Sequence, residues 1–113
     1  MQDCLFCNMG SGRIEVPKLH EDDLVFSIRD IHPQAPVHFM VIPKEHISGV
    51  PDIGESHGAL LGRMMTVASE LAKKEGIAKS GYRLAFNSGA DAGQAIYHLH
   101  MHVLGGRLLR AEG

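Results

Sequence analysis

Apolar and polar residues alternate along Tyr97-His98-Leu99-His100-Met101-His102-Val103-Leu104, the period of a β-strand with one buried face. Leu99, Met101 and Val103 are expected to enter a core. His98, His100 and His102 then share the opposite face, successive histidines standing roughly 6–7 Å apart. Val37–Ile42, closed by Pro43, is a second clear strand, with His38, Met40 and Ile42 on one face and Val37, Phe39 and Val41 on the other. Leu24–Arg29 and Tyr82–Asn87 are predicted strands, and Arg13–Val16 a short edge strand stopped by Pro17. Between them the period lengthens. Leu60, Leu61, Met64, Val67, Ala68 and Leu71 recur at helical spacing, predicting one long helix over about 55–75. Asp52 and Glu55 resemble a capping box, Lys73 and Lys74 suit the C-terminal dipole, and Gly76 suits the position after the helix. Cys4–Met9 predicts a short helical turn or knuckle, broken by Gly10-Ser11-Gly12.

Five strands with one main helix between the third and fourth make an α+β domain, and short loops favour an antiparallel meander. The helix should cover one face of the sheet, leaving the face of His38, His100 and His102 open to a ligand. The 113 residues are expected to form a single domain spanning 1–113. A hydrophobic content of 44% and a charged content of 21% are ordinary for a soluble protein. The formal charge of −2, with both signs interspersed, offers no electrostatic grip on nucleic acid or a membrane surface. No apolar run reaches the length of a membrane span, and Met1-Gln2-Asp3-Cys4 is not the start of a signal peptide. The expected compartment is the cytoplasm.

Three imidazoles on one rigid surface can bind a metal, shuttle protons, or attack and hold a phosphorus centre. Ser88-Gly89-Ala90-Asp91-Ala92-Gly93-Gln94, just upstream, can bring backbone N–H groups against an anion, and Asn87 and Gln94 add amides. Asp30, before Ile31-His32-Pro33, has the chemistry to accept hydrogen bonds from two ribose hydroxyls, or to cap its own loop. Cys4 and Cys7 form a C-x-x-C, which reads as half a zinc site, a redox pair, or two small apolar residues. A thioredoxin-type redox pair would follow a strand, and none is predicted upstream.

His98-Leu99-His100-Met101-His102-Val103-Leu104 matches the His-φ-His-φ-His-φ-φ signature, φ being apolar, of the histidine-triad superfamily. Asp30–His38, Ala92–Tyr97 and Gly105-Gly106-Arg107 resemble its Hint branch, so the likeness covers nearly the whole chain. It implies a homodimeric, nucleotide-binding enzyme that hydrolyses purine nucleotide conjugates at the α-phosphate, typically the P–N bond of an adenosine phosphoramidate. His100 would be the nucleophile, His102 would contact the phosphate, and His38 would orient or polarise the nucleophile. Asp30 would hold the ribose, with Ile31 beside it, while Asn87, Gly93 and Gln94 would line the phosphate pocket. Phe6 and Ile28 would line the base pocket. Ala95 stands where Hint proteins often carry serine, so one side-chain donor to the phosphate is missing. The tail after Arg107 lacks the tryptophan-containing ending of animal Hint proteins.

The C-x-x-C is similar to that of bacterial members that bind structural zinc through two cysteines and two histidines. The implied ligands are Cys4, Cys7, His46 and His98, a chemically reasonable tetrahedral set. His98 is thus a candidate both for zinc and for hydrogen bonding within the catalytic site. Two other readings stand beside the phosphoramidase: a dinucleoside polyphosphate hydrolase of the Fhit type, and a non-catalytic nucleotide-binding module.

Overall fold

The computed structural model describes residues 3–112. A short helix α1 (Leu5–Gly10) precedes the strands β1 (His20–Glu21), β2 (Val25–Arg29) and β3 (Val37–Pro43). The long helix α2 (Gly58–Lys74) follows, then β4 (Tyr82–Ala85) and β5 (Met101–Gly105). The strands form one antiparallel sheet in the order β1-β2-β3-β5-β4. The α+β class, the five strands, the one long helix and the short N-terminal helix are as expected.

The first three strands form the anticipated meander, but β5 inserts between β3 and β4. Its residue His102 therefore lies between Met40 of β3 and Ala85 of β4. The edge strand is also displaced. Arg13–Val16 stays irregular, because Ile14 N–H bonds to Asn8 O at the end of α1, and His20–Glu21 pairs with β2 in its place. The histidine segment is extended, but ladder pairing begins only at Met101, opposite Val41. β3 runs on through Ile42 and Pro43, but its pairing with β5 stops at Val41, and Leu99 N–H bonds Ile47 O beyond the sheet.

The alternation nevertheless sorts side chains as predicted. Phe39, Val41, Met101 and Val103 pack under α2 against Met64, Val67 and Leu71. On the other face Phe26, Ile28, Met40 and Ile42 pack with Phe6 of α1. Complete burial of Phe26 is worth on the order of 2 kcal/mol and fixes where α1 sits. The long helix is shorter than expected at its start. Asp52 lies in a 3-10 turn (Val50–Asp52), a second 3-10 turn (Glu55–His57) follows, and His57 Nδ1 accepts the Gly54 N–H where a capping box was anticipated. At the other end Gly76 has a φ of +77°, with Gly76 N–H on Lys73 O and Ile77 N–H on Ala72 O, a Schellman closure. Among the described residues no helix is long and apolar enough to cross a membrane.

Candidate active site and metal cluster

β2, β3 and β5 bring Asp30, His38 and His102 together on the face opposite α2. His38 Nδ1 faces the Gln34 N–H at 3.0 Å, so this nitrogen accepts and the proton of the neutral ring sits on Nε2. That Nε2–H donates to His102 Nδ1 at 2.9 Å, which leaves the proton of neutral His102 on its Nε2, the atom turned away from His38. Burial lowers the pKa of both rings, against the pull of the Asp30 carboxylate. His102 falls to about 4, pushed further by His100 and His38. Both are therefore neutral at pH 7, and the contacts of Asp30 Oδ2 with His38 (3.4 Å) and His102 (3.8 Å) are not ion pairs there. Asp30 Oδ1 accepts the His32 N–H at 2.8 Å, so the aspartate also caps its loop.

His100 is set by a different device. Its Nδ1 lies 2.7 Å from the carbonyl oxygen of His98, which can only accept, so Nδ1 carries a proton. In the neutral ring the free lone pair is then on Nε2. The Phe6 ring stands edge-on to His100 at 5.2 Å and the His102 ring at 5.1 Å. His38 reaches His102, while the hydrogen bond that sets the His100 ring is to the His98 carbonyl.

Asp30, His100 and His102 open on a cavity of about 360 Å³, with His38 buried behind His102. Phe6, Met9, Ile28, Ile31 and Met40 give it apolar walls, and Asp30, Asn87, Gly93, Ala95, His100 and His102 line it with polar groups and backbone. Phe6, Ile28, Asp30, Ile31, Asn87, Gly93, Ala95, His100 and His102 are thus brought to one pocket. Gly93 closes a 3-10 turn (Ala90–Ala92) at φ +82°, a conformation that favours glycine. Gln94 departs from expectation. Its buried carboxamide accepts the Gly89 N–H and donates to the Ser48 and Ile96 carbonyls, tying loops together outside this pocket. Met40 and Ile96 were not anticipated as pocket walls, although the alternation in β3 puts Met40 on the face of His38.

The second cluster lies at the start of α1. Cys4 is the N-cap of that helix, its Sγ accepting the Cys7 N–H, so both thiols converge. His98 Nδ1 lies 3.3 Å from Cys4 Sγ and 3.5 Å from Cys7 Sγ. His46 Nδ1 lies 3.3 Å from Cys7 Sγ and 3.2 Å from His98 Nδ1. A tetrahedron of two sulfurs and two nitrogens around a zinc-sized ion has edges of roughly 3.3–3.8 Å. All four donor atoms lie within 4.8 Å of one another, and the cluster can hold a metal. His98 is fully buried, and its Nε2–H donates to Pro43 O at 2.7 Å, which turns the Nδ1 lone pair to the cluster. Both ring nitrogens being engaged, the His98 side chain does not enter the pocket; only its carbonyl serves His100. Burial and the neighbouring Cys4 raise the Cys7 thiol, two thiols together favouring the protonated form until a cation replaces the protons.

The chain's relatives share this arrangement's fold and much of its sequence. The HIT-domain family model matches residues 11–109. The purine nucleoside phosphoramidase of Escherichia coli K12 is 50% identical over 99 residues, covering 86% of this chain and 83% of that one. The crystal structure of a HIT family hydrolase from Legionella pneumophila superposes with a TM-score of 0.93 at 42% identity, over 96% of each chain. A Zn-bound histidine triad family protein from Mycobacterium smegmatis gives a TM-score of 0.79 at 29% identity, over 94% of this chain and 76% of that one. Sequence, domain model and fold agree: this chain belongs to the HIT family and is a HIT-family hydrolase.

Proposed function

We propose that the chain is a purine nucleoside phosphoramidase acting through His100. The observation that carries this reading is the lone pair left on His100 Nε2 by the Nδ1–H bond to the His98 carbonyl, beside a pocket of nucleoside size. The base would lie against Phe6 and Ile28, with Ile31 at the rim and the Asp30 carboxylate on the ribose hydroxyls. Asn87, the backbone at Gly93 and the His102 Nε2–H would surround the α-phosphate. His100 Nε2 attacks phosphorus, the P–N bond breaks, and the nitrogen takes up one proton and departs as an amine. Water then cleaves the nucleotidyl-histidine, releasing the nucleoside monophosphate and returning a proton. Ala95 offers no side-chain donor there, so the backbone carries that part of the phosphate.

Zinc is the metal proposed for Cys4, Cys7, His46 and His98; when bound it supplies a closed crosslink between α1, the segment after β3 and the start of the triad. Single-domain organisation, a cytoplasmic location and a homodimer belong to the same reading. For the dimer, the outer edge of β4 offers an unpaired ladder. The test is intact-protein mass spectrometry after brief incubation with an adenosine phosphoramidate and a mild quench, wild type beside His100→Ala and His100→Gly. A transient adenylate adduct on wild type alone, with turnover lost in both variants, is the expected result. Full turnover in the variants would remove His100 from the role.

A further inference from the structure

The segment Gly105-Gly106-Arg107 lies outside the walls of the nucleotide pocket, yet it is built against the loop that carries Asp30 and Ile31. The ladder of β3 and β5 ends at the pair Val37 and Gly105, and beyond it both chains leave the sheet side by side. Gly106 takes a φ of +98° there, and a Cβ on it would stand 2.9 Å from Cβ of Pro36, closer than a side chain tolerates. That close approach delivers Arg107 to the loop. Its guanidinium donates from Nη2 to Gln34 O at 2.9 Å and from Nη1 to Leu108 O at 2.9 Å. Pro33 and Pro36 have no N–H with which to tie this loop to the sheet, so side-chain donors carry more of its order. The Gln34 N–H, on the other side of the same Cα, faces His38 Nδ1 at 3.0 Å, and His38 Nε2 faces His102 Nδ1 at 2.9 Å.

Two neutral rings in a row can carry their protons in either direction. With the Gln34 N–H in place, His38 Nδ1 accepts, both protons sit on Nε2, and His102 offers an N–H to the pocket. Without it the order can reverse. His38 then carries its proton on Nδ1, His102 Nδ1–H donates to His38, and His102 Nε2 turns a bare lone pair toward phosphate oxygens that can only accept. Asp30 Oδ2, 3.4 Å from His38 Nε2 and 3.8 Å from His102 Nδ1, accepts from either arrangement and does not choose between them. The choice falls to Gln34. We propose that Arg107 is a positioning residue for the reaction: by fixing Gln34 it fixes the direction of this proton chain and keeps an N–H on His102 Nε2 for the α-phosphate. The inference rests on the phosphoramidase reading and adds to it a residue that touches neither substrate nor reacting atoms.

The test reads the ring nitrogens of His38 and His102 by NMR in nucleotide-free, isotope-labelled protein at about pH 8, where neutral imidazoles prevail. Wild type is compared with Arg107→Met and Arg107→Lys, changes at an exposed position. In wild type both rings are expected to be protonated on Nε2 and bare on Nδ1. Arg107→Met keeps the apolar stem without a donor and is expected to show a mixture with Nδ1–H on both rings. Arg107→Lys, which keeps a cationic donor, is expected to lie between the two. With an adenosine phosphoramidate, Arg107→Met should lower kcat by about fivefold to tenfold while KM moves by less than about twofold, since only molecules with the His102 N–H react and one charge-assisted hydrogen bond shifts their ratio by about tenfold. Wild-type tautomers in Arg107→Met, or a raised KM at unchanged kcat, would overturn the inference, because Arg107 would then do no more than hold the loop of Asp30 and Ile31. Absence of turnover by wild type would overturn the phosphoramidase reading, and the ring tautomers would still decide the inference.

Discussion

His98 and His100 stand two residues apart in one extended segment and present opposite ring nitrogens. A backbone carbonyl takes one ring nitrogen of each, and it takes a different one. Pro43 O holds His98 by Nε2 and leaves Nδ1, which converges with Cys4, Cys7 and His46. The His98 carbonyl holds His100 by Nδ1 and leaves Nε2, which is the nitrogen free for the pocket. In the metal cluster four donor atoms point at one another around a fully buried ring. In the pocket the neutral rings pass hydrogen bonds in one direction, from Gln34 through His38 to His102. Residue type alone does not decide which lone pair a histidine presents. The tautomer does, and it is set by whichever carbonyl lies nearby.

The largest effect is expected at the pocket. His100→Ala is expected to lower kcat by on the order of 10³-fold or more while leaving the melting temperature within a few degrees, since the ring is partly exposed. Comparable losses of stability and turnover would contradict the separation of roles. At the metal cluster the pattern reverses. The double variant Cys4→Ser, Cys7→Ser is expected to lose its metal by elemental analysis and to melt about 10 °C lower or more, as a structural metal's binding energy is folding energy. Unaltered metal content would show that the ion sits elsewhere.

Acid sharpens the contrast further. The folded-state pKa of His102 is about 4, below the unfolded value near 6.5, so the unfolded chain binds more protons between those values. Its contribution to stability is complete above about pH 6.5 and is lost as pH falls toward 4, amounting to at most about 3 kcal/mol. His102→Gln should flatten that part of the stability profile, and an NMR titration of the wild-type ring should show no protonation at pH 6. A ring that titrates normally would refute the neutral relay. The smallest effect is expected at Phe6, whose ring stands edge-on to both His98 and His100. Phe6→Leu should cost about 1–2 kcal/mol of stability by thermal melts and raise KM for a nucleotide substrate without abolishing turnover. A change in neither would leave the two clusters with no side chain in common.

Much of this is legible in the amino-acid sequence. The alternation through Val37–Ile42 and Leu99–Val103 sorted core from pocket because a strand's side chains have a period of two and one face must be buried. It put His38 and Met40 on the correct face, and the helical stripe from Leu60 to Leu71 found its core. The resemblance supplied what periodicity could not, joining positions 4, 7, 46 and 98 across most of the chain. Where reading failed, tertiary partners were the cause. Arg13–Val16 has strand character, yet Ile14 bonds to the end of α1. Gln94 sits in a loop suited to phosphate, yet its carboxamide is consumed by Gly89, Ser48 and Ile96.

The order of residues thus specifies the set of elements, the face each residue belongs to, and the chemistry available. The order of the strands, with β5 between β3 and β4, and the assignment of protons among the histidines arise only in the folded chain. Both depend on backbone carbonyls and N–H groups that every sequence possesses alike. Pro43 O, His98 O and Gln34 N–H leave no mark in the choice of side chain, and they act only once the chain has brought them within hydrogen-bond distance.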